Sequence, residues 1–381
     1  MKRDEFPILA DSTYLVSHSM GAAPLRARDA LRTYWEEWAG DGPEAWERWL
    51  PRIAEIADGI GALVGAPPGT CFLGPNVSVL QSAVASCIDF RSDRNEVVYE
   101  SLQFPSLTYV WREWERFGAV VRVAESDDGR TVPTERIVEA ITEKTAIAVL
   151  SHAYYVSGAI ADVRTIQRHC RSVGALLCVD AYQTTGVYPY DVTDWDLDLV
   201  TGGSHKWLCG GAGCGWLYVK PSLLGRFAPA VTGWMAHARP FAFEAAPMEH
   251  ASSMYRFGNG TPSIPAYMAA QPGHRAIASV GIPRIREHNV RLTQKIAATA
   301  LERGLRVNSP LDPERRTGWI GIEFDGAGAA CRRLIERRVF VDYRPGCGIR
   351  VGPHFYTEDA EIDEFFKQLE NVRAGAATLA Q

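Results

Sequence analysis

The segment from position 96 to position 219 alternates short runs rich in β-branched residues with longer amphipathic runs. A chain that repeats strand, helix and strand in this rhythm folds into a mostly parallel sheet covered by helices. The strand-like runs are 97–99, 120–123, 146–150, 175–179 and 197–200, and the helix-like runs are 107–117, 135–141 and 163–173. The segment therefore predicts an α/β domain with helices on both faces of its sheet.

Three polar segments directly follow apolar strands of this predicted sheet. A Ser-His pair at 151–152 follows one strand, Asp180 follows the next, and Ser-His-Lys at 204–206 comes shortly after the last. Because ligands of such sheets bind beyond the carboxyl ends of the strands, we expect these positions to converge on one site.

Lys206 stands in an unusual context for a lysine, between Ser-His and a glycine-rich turn at 210–215. An amine that attacks an aldehyde must be partly neutral, and burial or nearby positive charge lowers its pKa accordingly. Ser204 and His205 can donate hydrogen bonds to a phosphate, and the glycines let the backbone approach a cofactor closely. A lysine alone is usually a solvated surface charge, so only this context favours a reactive amine.

Bulk properties point to small-molecule chemistry. The chain has 381 residues, 46% of them hydrophobic, and a formal net charge of -5. Long runs of Lys or Arg are absent from the sequence, which argues against nucleic acid or an anionic membrane as a partner. The eight cysteines lack the spacing of a metal site or a disulfide framework, so we expect no metal. We also expect a cytoplasmic protein, because neither an apolar leader nor an eighteen-residue apolar run is evident.

The pattern of strand-like and helix-like runs changes after the proline-rich stretch at 262–272. Helix-like runs at 285–303, 329–337 and 358–372 then combine with strand-like runs at 319–324 and 339–343. A lone strand at 13–16 could pack with them. We predict a large domain over 21–265 and a smaller α+β domain formed by 1–20 and 266–381.

The segment 197–217 reads Leu-Asp-Leu-Val-Thr-Gly-Gly-Ser-His-Lys-Trp-Leu-Cys-Gly-Gly-Ala-Gly-Cys-Gly-Trp-Leu. It resembles the attachment signature for pyridoxal 5'-phosphate (PLP) of the class V aminotransferase superfamily, which includes kynureninases and cysteine desulfurases. The resemblance implies the PLP-dependent transferase fold type I, with PLP held by Lys206 as a Schiff base and an α-amino acid as substrate. It also implies a homodimer with shared active sites.

The same resemblance implies roles around the cofactor. Asp180 and Gln183 match the family's Asp-x-x-His/Gln element, in which a buried carboxylate holds the protonated pyridine nitrogen and the amide binds the phenolic oxygen. Phe104, in a Phe-Pro-Ser element like that of kynureninases, would stack on the ring. Asn76 and Val77 open a helix whose N-terminus suits the phosphate.

Three further segments resemble kynureninases. Gly-Trp-Met-Ala-His at 233–237 and the Gly-Thr-Pro at 260–262 imply that Trp234, Asn259 and Thr261 contact the cofactor phosphate, often across a dimer interface. Ile-Arg-Val-Gly-Pro begins at position 349. It implies that Arg350 binds the α-carboxylate of the substrate, because its planar fork matches a carboxylate in a bidentate manner.

The sequence departs from the kynureninase pattern around the substrate. Tyr154 stands where the family has Asn, His205 where it has Tyr, and Leu107 where it has an acidic residue. His152 is a candidate substrate contact, for which stacking, acid–base chemistry and a structural hydrogen bond remain open. The tryptophan-rich stretch at 35–49 has helical spacing, which favours core packing over a substrate pocket.

We predict a kynureninase-like enzyme that cleaves a side-chain bond through an external aldimine, with Lys206 as anchor and base. Transamination to a keto acid is the alternative. Cysteine desulfuration or another lyase reaction ranks third, because the sole candidate nucleophile, Cys347, lies three residues before Arg350, which is too close for the desulfurase pattern. The joint presence of Lys206, Asp180 and Arg350 disfavours a non-catalytic binding protein. The glycine-rich stretch also lacks the Gly-x-Gly-x-x-Gly pattern of a dinucleotide-binding oxidoreductase.

Overall fold

The computed structural model describes residues 3–245 and 247–378. The helices are α1 (Leu25–Asp41), α2 (Trp46–Leu63), α3 (Val77–Ala85), α4 (Pro105–Glu113), α5 (Thr134–Ala140), α6 (Val163–Val173), α7 (Ile264–Val280), α8 (Ile282–Glu302), α9 (Ala327–Glu336) and α10 (Asp359–Thr378). The strands are β1 (Thr13–Tyr14), β2 (Cys71–Gly74), β3 (Glu96–Glu100), β4 (Val120–Ala124), β5 (Thr145–Ser151), β6 (Leu176–Asp180), β7 (Leu199–Gly203), β8 (Gly215–Val219), β9 (Arg306–Val307), β10 (Ile320–Glu323), β11 (Val339–Phe340), β12 (Asp342–Arg344) and β13 (Gly348–Val351).

The large domain is built on a seven-stranded sheet with the order β2-β8-β7-β6-β5-β3-β4. The strands from β7 to β4 run parallel, whereas β8 and β2 add an antiparallel edge. Alternate residues of β5 point to opposite faces. Ala148 and Leu150 join a core with α2, α5, α6 and α7, and Ile147 and Val149 join a core with α3 and α4. The predicted α/β class, a mostly parallel sheet covered on both faces, is confirmed.

Strand register brings the polar strand ends together. Ser151, the last residue of β5, is paired with Asp180, the last residue of β6, and Asp180 is paired with Thr201 of β7. The loop carrying Lys206 follows β7 directly. The expected convergence of these positions therefore follows from parallel pairing.

The small domain has an antiparallel sheet with the order β12-β13-β10-β9. Helices α8, α9 and α10 cover it, with Leu292, Leu334 and Phe365 in the shared core. The single strand predicted at 339–343 is two strands in the structure. β11 pairs in parallel with β1 near the N-terminus, whereas β12 pairs with β13, so the chain changes sheets at Val341.

Helix α7 bears on the predicted domain boundary at 265. Its residues Ile264, Tyr267 and Met268 pack in the core of the large domain, and Pro272 lies within the helix instead of in a linker. The small-domain core takes its helical residues from Leu292 onward. Packing therefore favours a later division, within α8.

The tryptophan-rich stretch packs less completely than its helical spacing predicts. Trp49 of α2 is 5% exposed, but Trp35 and Trp38 of α1 are 61% and 58% exposed. The core-packing prediction is therefore wrong for these two rings, whereas Tyr34 of the same helix packs against the large-domain core. In the described ranges, no helix combines the length and apolarity that a membrane span requires.

Candidate active site

A cavity of about 210 Å³ lies at the carboxyl ends of the central strands. Seven residues predicted from the sequence line it: Asn76, Val77, Phe104, Asp180, Gln183, His205 and Lys206. Its other lining residues are Ser78, Ser106, Leu107, Ser151, Ala153, Tyr155 and Tyr182. Several of these other residues are next to predicted ones. The sequence therefore located the loops around the cavity, but not which of two neighbouring side chains faces into it.

The amine of Lys206 lies beside two aromatic rings. Its Nζ is 4.4 Å from the ring centroid of Tyr182 and 5.6 Å from that of Phe104. Burial lowers the pKa of Lys206 to about 8 against the opposing charge of Asp180, and the positive charge of Arg350 adds to the lowering. A substantial fraction of the amine is therefore neutral at mildly alkaline pH.

The carboxylate of Asp180 is buried beneath the cavity. Burial raises its pKa to about 6, while the charge of Lys206 and a hydrogen bond from the backbone N–H of Tyr182 oppose this shift. That N–H lies 3.0 Å from Oδ1. A cation placed against Asp180 would restore its ordinary acidity and be stabilised in return.

Gln183 is held by its backbone and presents its amide to the cavity. Its carbonyl oxygen accepts a hydrogen bond of 2.6 Å from the hydroxyl of Thr317, and its Nε2 donates weakly, at 3.4 Å, to the carbonyl of His18. Among the residues that the structure describes, Oε1 is buried without a hydrogen-bond partner. The side chain therefore retains hydrogen-bonding capacity for a ligand.

The N-terminus of α3 forms another wall of the cavity. Asn76 has an extended backbone and caps the helix, accepting a hydrogen bond of 3.0 Å from the N–H of Val79. The next residues, Val77 and Ser78, line the cavity at the first turn, where backbone N–H groups have no intrahelical acceptor. This end of the cavity therefore suits an anion.

Arg350, on β13, is held by hydrogen bonds from its guanidinium to Asp342 and to the backbone of Tyr155. Its Nε and Nη2 both donate to the carboxylate of Asp342, with Nε at 2.9 Å from Oδ1. Its Nη1 donates to the carbonyl oxygen of Tyr155 at 3.1 Å. His18 also contacts Asp342, with Nε2 at 2.8 Å from Oδ1. The guanidinium therefore contacts Tyr155, a residue that lines the cavity, but does not itself line the cavity.

Three predicted residues face elsewhere. The hydroxyl of Ser204 lies 2.9 Å from Nε2 of His274, behind the lysine loop. His152 bonds to Thr184 at 2.9 Å and is surrounded by aromatic rings, so the structural role left open for it is the one its position favours. Tyr154 packs in the large-domain core, and its neighbour Tyr155 lines the cavity instead.

The three residues expected at the phosphate from the kynureninase-like segments also lie outside this cavity. Asn259 and Thr261 line a second cavity of about 340 Å³, which also includes Pro75, the residue before Asn76. Trp234 packs near Trp46 and the exposed ring of Phe243. Within one chain the structure does not bring these three to Lys206.

Comparison with known proteins assigns the family. The family model described as aminotransferase class V matches residues 13–365. The chain belongs to the class V aminotransferase family. These enzymes depend on PLP, so the predictions of an enzyme and of this cofactor are confirmed.

Similar sequences span almost the whole chain. An uncharacterized aminotransferase, YcbU of Bacillus subtilis, is 28% identical over 360 residues, covering 94% of this chain and 94% of that protein. A kynureninase of Geobacillus thermodenitrificans is 28% identical over 383 residues, covering 94% of this chain and 88% of that protein.

Solved structures show the same fold. A cysteine desulfurase from Thermococcus onnurineus has a TM-score of 0.86 at 18% identity, covering 98% of this chain and 97% of that one. A mutant of the protein C-DES, with glycine covalently linked to its PLP cofactor, has a TM-score of 0.88 at 20% identity, covering 97% and 99%. Fold type I is therefore confirmed.

The residues present fit PLP. Lys206 offers an amine with a lowered pKa, Asp180 a buried carboxylate for a protonated pyridine nitrogen, and Gln183 an amide with spare hydrogen-bonding capacity. The N-terminus of α3 supplies N–H groups for a phosphate. One cavity thus offers a complementary group for the aldehyde, the ring and the phosphate.

We expect Asp342→Asn to lower the free energy of unfolding by about 3–5 kcal/mol, because it leaves the buried guanidinium of Arg350 without a counter-charge. Denaturation by urea, followed by circular dichroism, measures the loss. Asp363→Asn is the matched control, since Asp363 pairs with Lys295 at an exposed site. That change should cost no more than about 1 kcal/mol. Equal losses in the two variants would contradict the importance of the buried pair.

Proposed function

We propose that this PLP-dependent enzyme cleaves a bond in the side chain of an α-amino acid, in the manner of kynureninases. The observation that carries the proposal is the position of Lys206. Its amine, with a pKa lowered to about 8, lies in a cavity that Asp180 also lines, and Arg350 contacts the backbone of Tyr155 in the wall of that cavity. The kynureninase relatives, similar over nearly the whole chain, support the reaction type.

We assign the cofactor contacts as follows. Lys206 anchors PLP, Asp180 holds its pyridine nitrogen, and Gln183 binds its phenolic oxygen. Phe104 covers the ring, and Asn76, Val77, Ser204 and His205 form the phosphate end. Of these, Ser204 is supported by sequence alone, since its hydroxyl bonds to His274.

We propose that Arg350 binds the α-carboxylate of the substrate. Asp342 holds two of its nitrogens, which fixes the plane of the guanidinium and leaves Nη1 directed toward Tyr155 at the cavity wall. A substrate carboxylate would bind here with charge-assisted hydrogen bonds. The amino acid is thereby oriented with its α-carbon toward Lys206. His152 and Tyr154 remain sequence-based candidates for substrate contact without support from the cavity lining.

Lys206 is the proposed base at the α-carbon. When bound, PLP withdraws electrons from that carbon and makes its proton acidic. A neutral Lys206 amine can accept the proton, and a pKa of about 8 keeps this form accessible near neutral pH. The residue returns the proton later in the reaction.

Desulfuration through Cys347 is poorly supported. The thiol is buried, with Sγ 4.0 Å from the carbonyl oxygen of Tyr155. Burial raises its pKa to about 11, so little thiolate is present at neutral pH. Cleavage of a carbon–sulfur bond without a cysteine nucleophile stays within the proposed reaction class.

We also propose a homodimer in which Trp234, Asn259 and Thr261 reach the phosphate of the partner's site. The second cavity adjoins the N-terminus of α3 through Pro75, and exposed Phe241 and Phe243 lie against Trp234. Burial of such exposed apolar surface by a second subunit would stabilise a dimer.

The first expected outcome concerns reaction products. Incubation of the PLP-loaded enzyme with kynurenine and a panel of amino acids should release a side-chain fragment while PLP remains intact, as measured by liquid chromatography. Lys206→Ala should abolish turnover and the visible absorption of the Schiff base. Lys220→Ala, at a lysine paired with Asp196 on the surface, should retain both. Accumulation of pyridoxamine phosphate and a keto acid would instead establish transamination.

The second expected outcome concerns pH. The neutral amine reacts with PLP, and a pKa of about 8 makes only about a tenth of it neutral at pH 7. The initial rate of Schiff-base formation by the apoenzyme should therefore rise from pH 6 to 8 and level off above about pH 9. Stopped-flow absorbance measures it. N-acetyl-lysine, with an ordinary amine, should show a rise that continues beyond pH 10. A matching continued rise for the protein would contradict the lowered pKa.

The third expected outcome concerns shared sites. Lys206→Ala and Thr261→Val should each reduce activity strongly, and subunits mixed after mild denaturation should regain activity. Random pairing leaves about a quarter of the sites with both native residues. Activity of the mixture is compared with that of each variant refolded alone. A mixture no more active than those variants would count against sharing across the interface.

A further inference from the structure

Tyr182 faces the cavity but has no role in the assignments above. It follows Asp180 by two positions and lines the cavity. Its hydroxyl lies 2.8 Å from Nδ1 of His205, and its ring centroid lies 4.4 Å from Nζ of Lys206. One side chain therefore touches both residues at the end of the lysine loop.

The position of the Tyr182 side chain depends on a glycine. A Cβ atom added at Gly203 would lie 1.9 Å from the hydroxyl oxygen of Tyr182, far inside contact distance. Gly203 ends β7, one residue before the Ser-His-Lys segment. The backbone at 181 is held by a hydrogen bond of 2.8 Å from the N–H of Ala181 to the carbonyl of Thr201. The absence of a side chain at 203 thus lets the phenol reach His205.

The hydroxyl of Tyr182 can donate to Nδ1 of His205, and a contact in this direction fixes which nitrogen of His205 carries the proton. Burial lowers the pKa of His205 to about 4, helped by the charge of Lys206, so the ring is neutral at pH 7 with a single N–H. Burial also raises the pKa of Tyr182, so its hydroxyl keeps its proton. With the hydroxyl donating to Nδ1, the imidazole proton resides on Nε2.

We propose that Tyr182 is a positioning residue for the cofactor: it holds His205 as the tautomer whose Nε2–H donates to the phosphate, and its ring bounds the space beside Lys206. The inference rests on the phosphate contact of His205 proposed above. Phosphate oxygens at neutral pH mainly accept hydrogen bonds, so the opposite tautomer would set an Nε2 lone pair against them. The ring provides a flat apolar surface next to the amine that anchors the cofactor.

The test compares dissociation constants for PLP, measured by fluorescence quenching of the apoenzyme. Tyr182→Phe keeps the ring and removes the hydroxyl, so the dissociation constant should rise about three- to tenfold, the effect of losing one hydrogen bond. Tyr218→Phe is the matched control, since Tyr218 lies in β8 of the same sheet outside the cavity lining. Its dissociation constant should stay within about twofold of the wild type.

A double-mutant cycle tests whether the hydroxyl of Tyr182 acts through His205. His205→Ala removes the imidazole altogether, so Tyr182→Phe in this background should change the dissociation constant less than about twofold. An unchanged constant for Tyr182→Phe alone would overturn the role. An equal effect in both backgrounds would also overturn it, because the hydroxyl would then act independently of His205.

Nitrogen-15 NMR of the unaltered protein provides a measurement that no folding defect can obscure. The chemical shifts of His205 should identify Nε2 as the protonated nitrogen in the PLP-loaded protein. Protonation at Nδ1 would overturn the inference. Failure of wild-type protein to take up PLP would instead refute the cofactor contacts proposed above, and so the two failures are distinguishable.

Discussion

The carboxylate of Asp342 holds together the parts of the chain that meet behind the cavity. It binds Arg350 of the neighbouring strand through two nitrogens, His18 of the N-terminal segment, and Arg344 at 3.3 Å. Surrounding positive charge keeps the pKa of this carboxyl far below its ordinary range despite burial. Because it stays ionised, Arg350 remains oriented, and through Tyr155 it meets the wall that faces Lys206.

Much of the site could be predicted because parallel strands end at one edge. The apolar runs before Ser151, Asp180 and the lysine loop fixed where these positions meet, and the pairing of Ser151 with Asp180 is the physical link. The motif resemblance supplied Gln183 and Phe104, which also line the cavity. Local pattern was sufficient wherever the backbone position alone determined which way a side chain pointed.

Side-chain direction in loops was harder to predict, because distant contacts decide it. Tyr154 turns into the core while Tyr155 faces the cavity, and nothing in two adjacent tyrosines distinguishes them. Ser204 is drawn to His274, seventy positions away on α7. The Asp-x-x-Gln pattern leaves position 182 unspecified, although Gly203 on another strand makes room for the hydroxyl of Tyr182.

The attachment of Arg350 bears on how the two domains can move. Within the described residues, its one hydrogen bond to the large domain goes to the carbonyl oxygen of Tyr155, whereas its ion pairs with Asp342 lie inside the small domain. Separating the domains at this point breaks a bond of about 1.5–3 kcal/mol, as expected for a charged donor. The proposed carboxylate-binding residue thus belongs to the small domain, and a buried core shared by Trp207, Trp319 and Tyr356 holds that domain against the lysine loop.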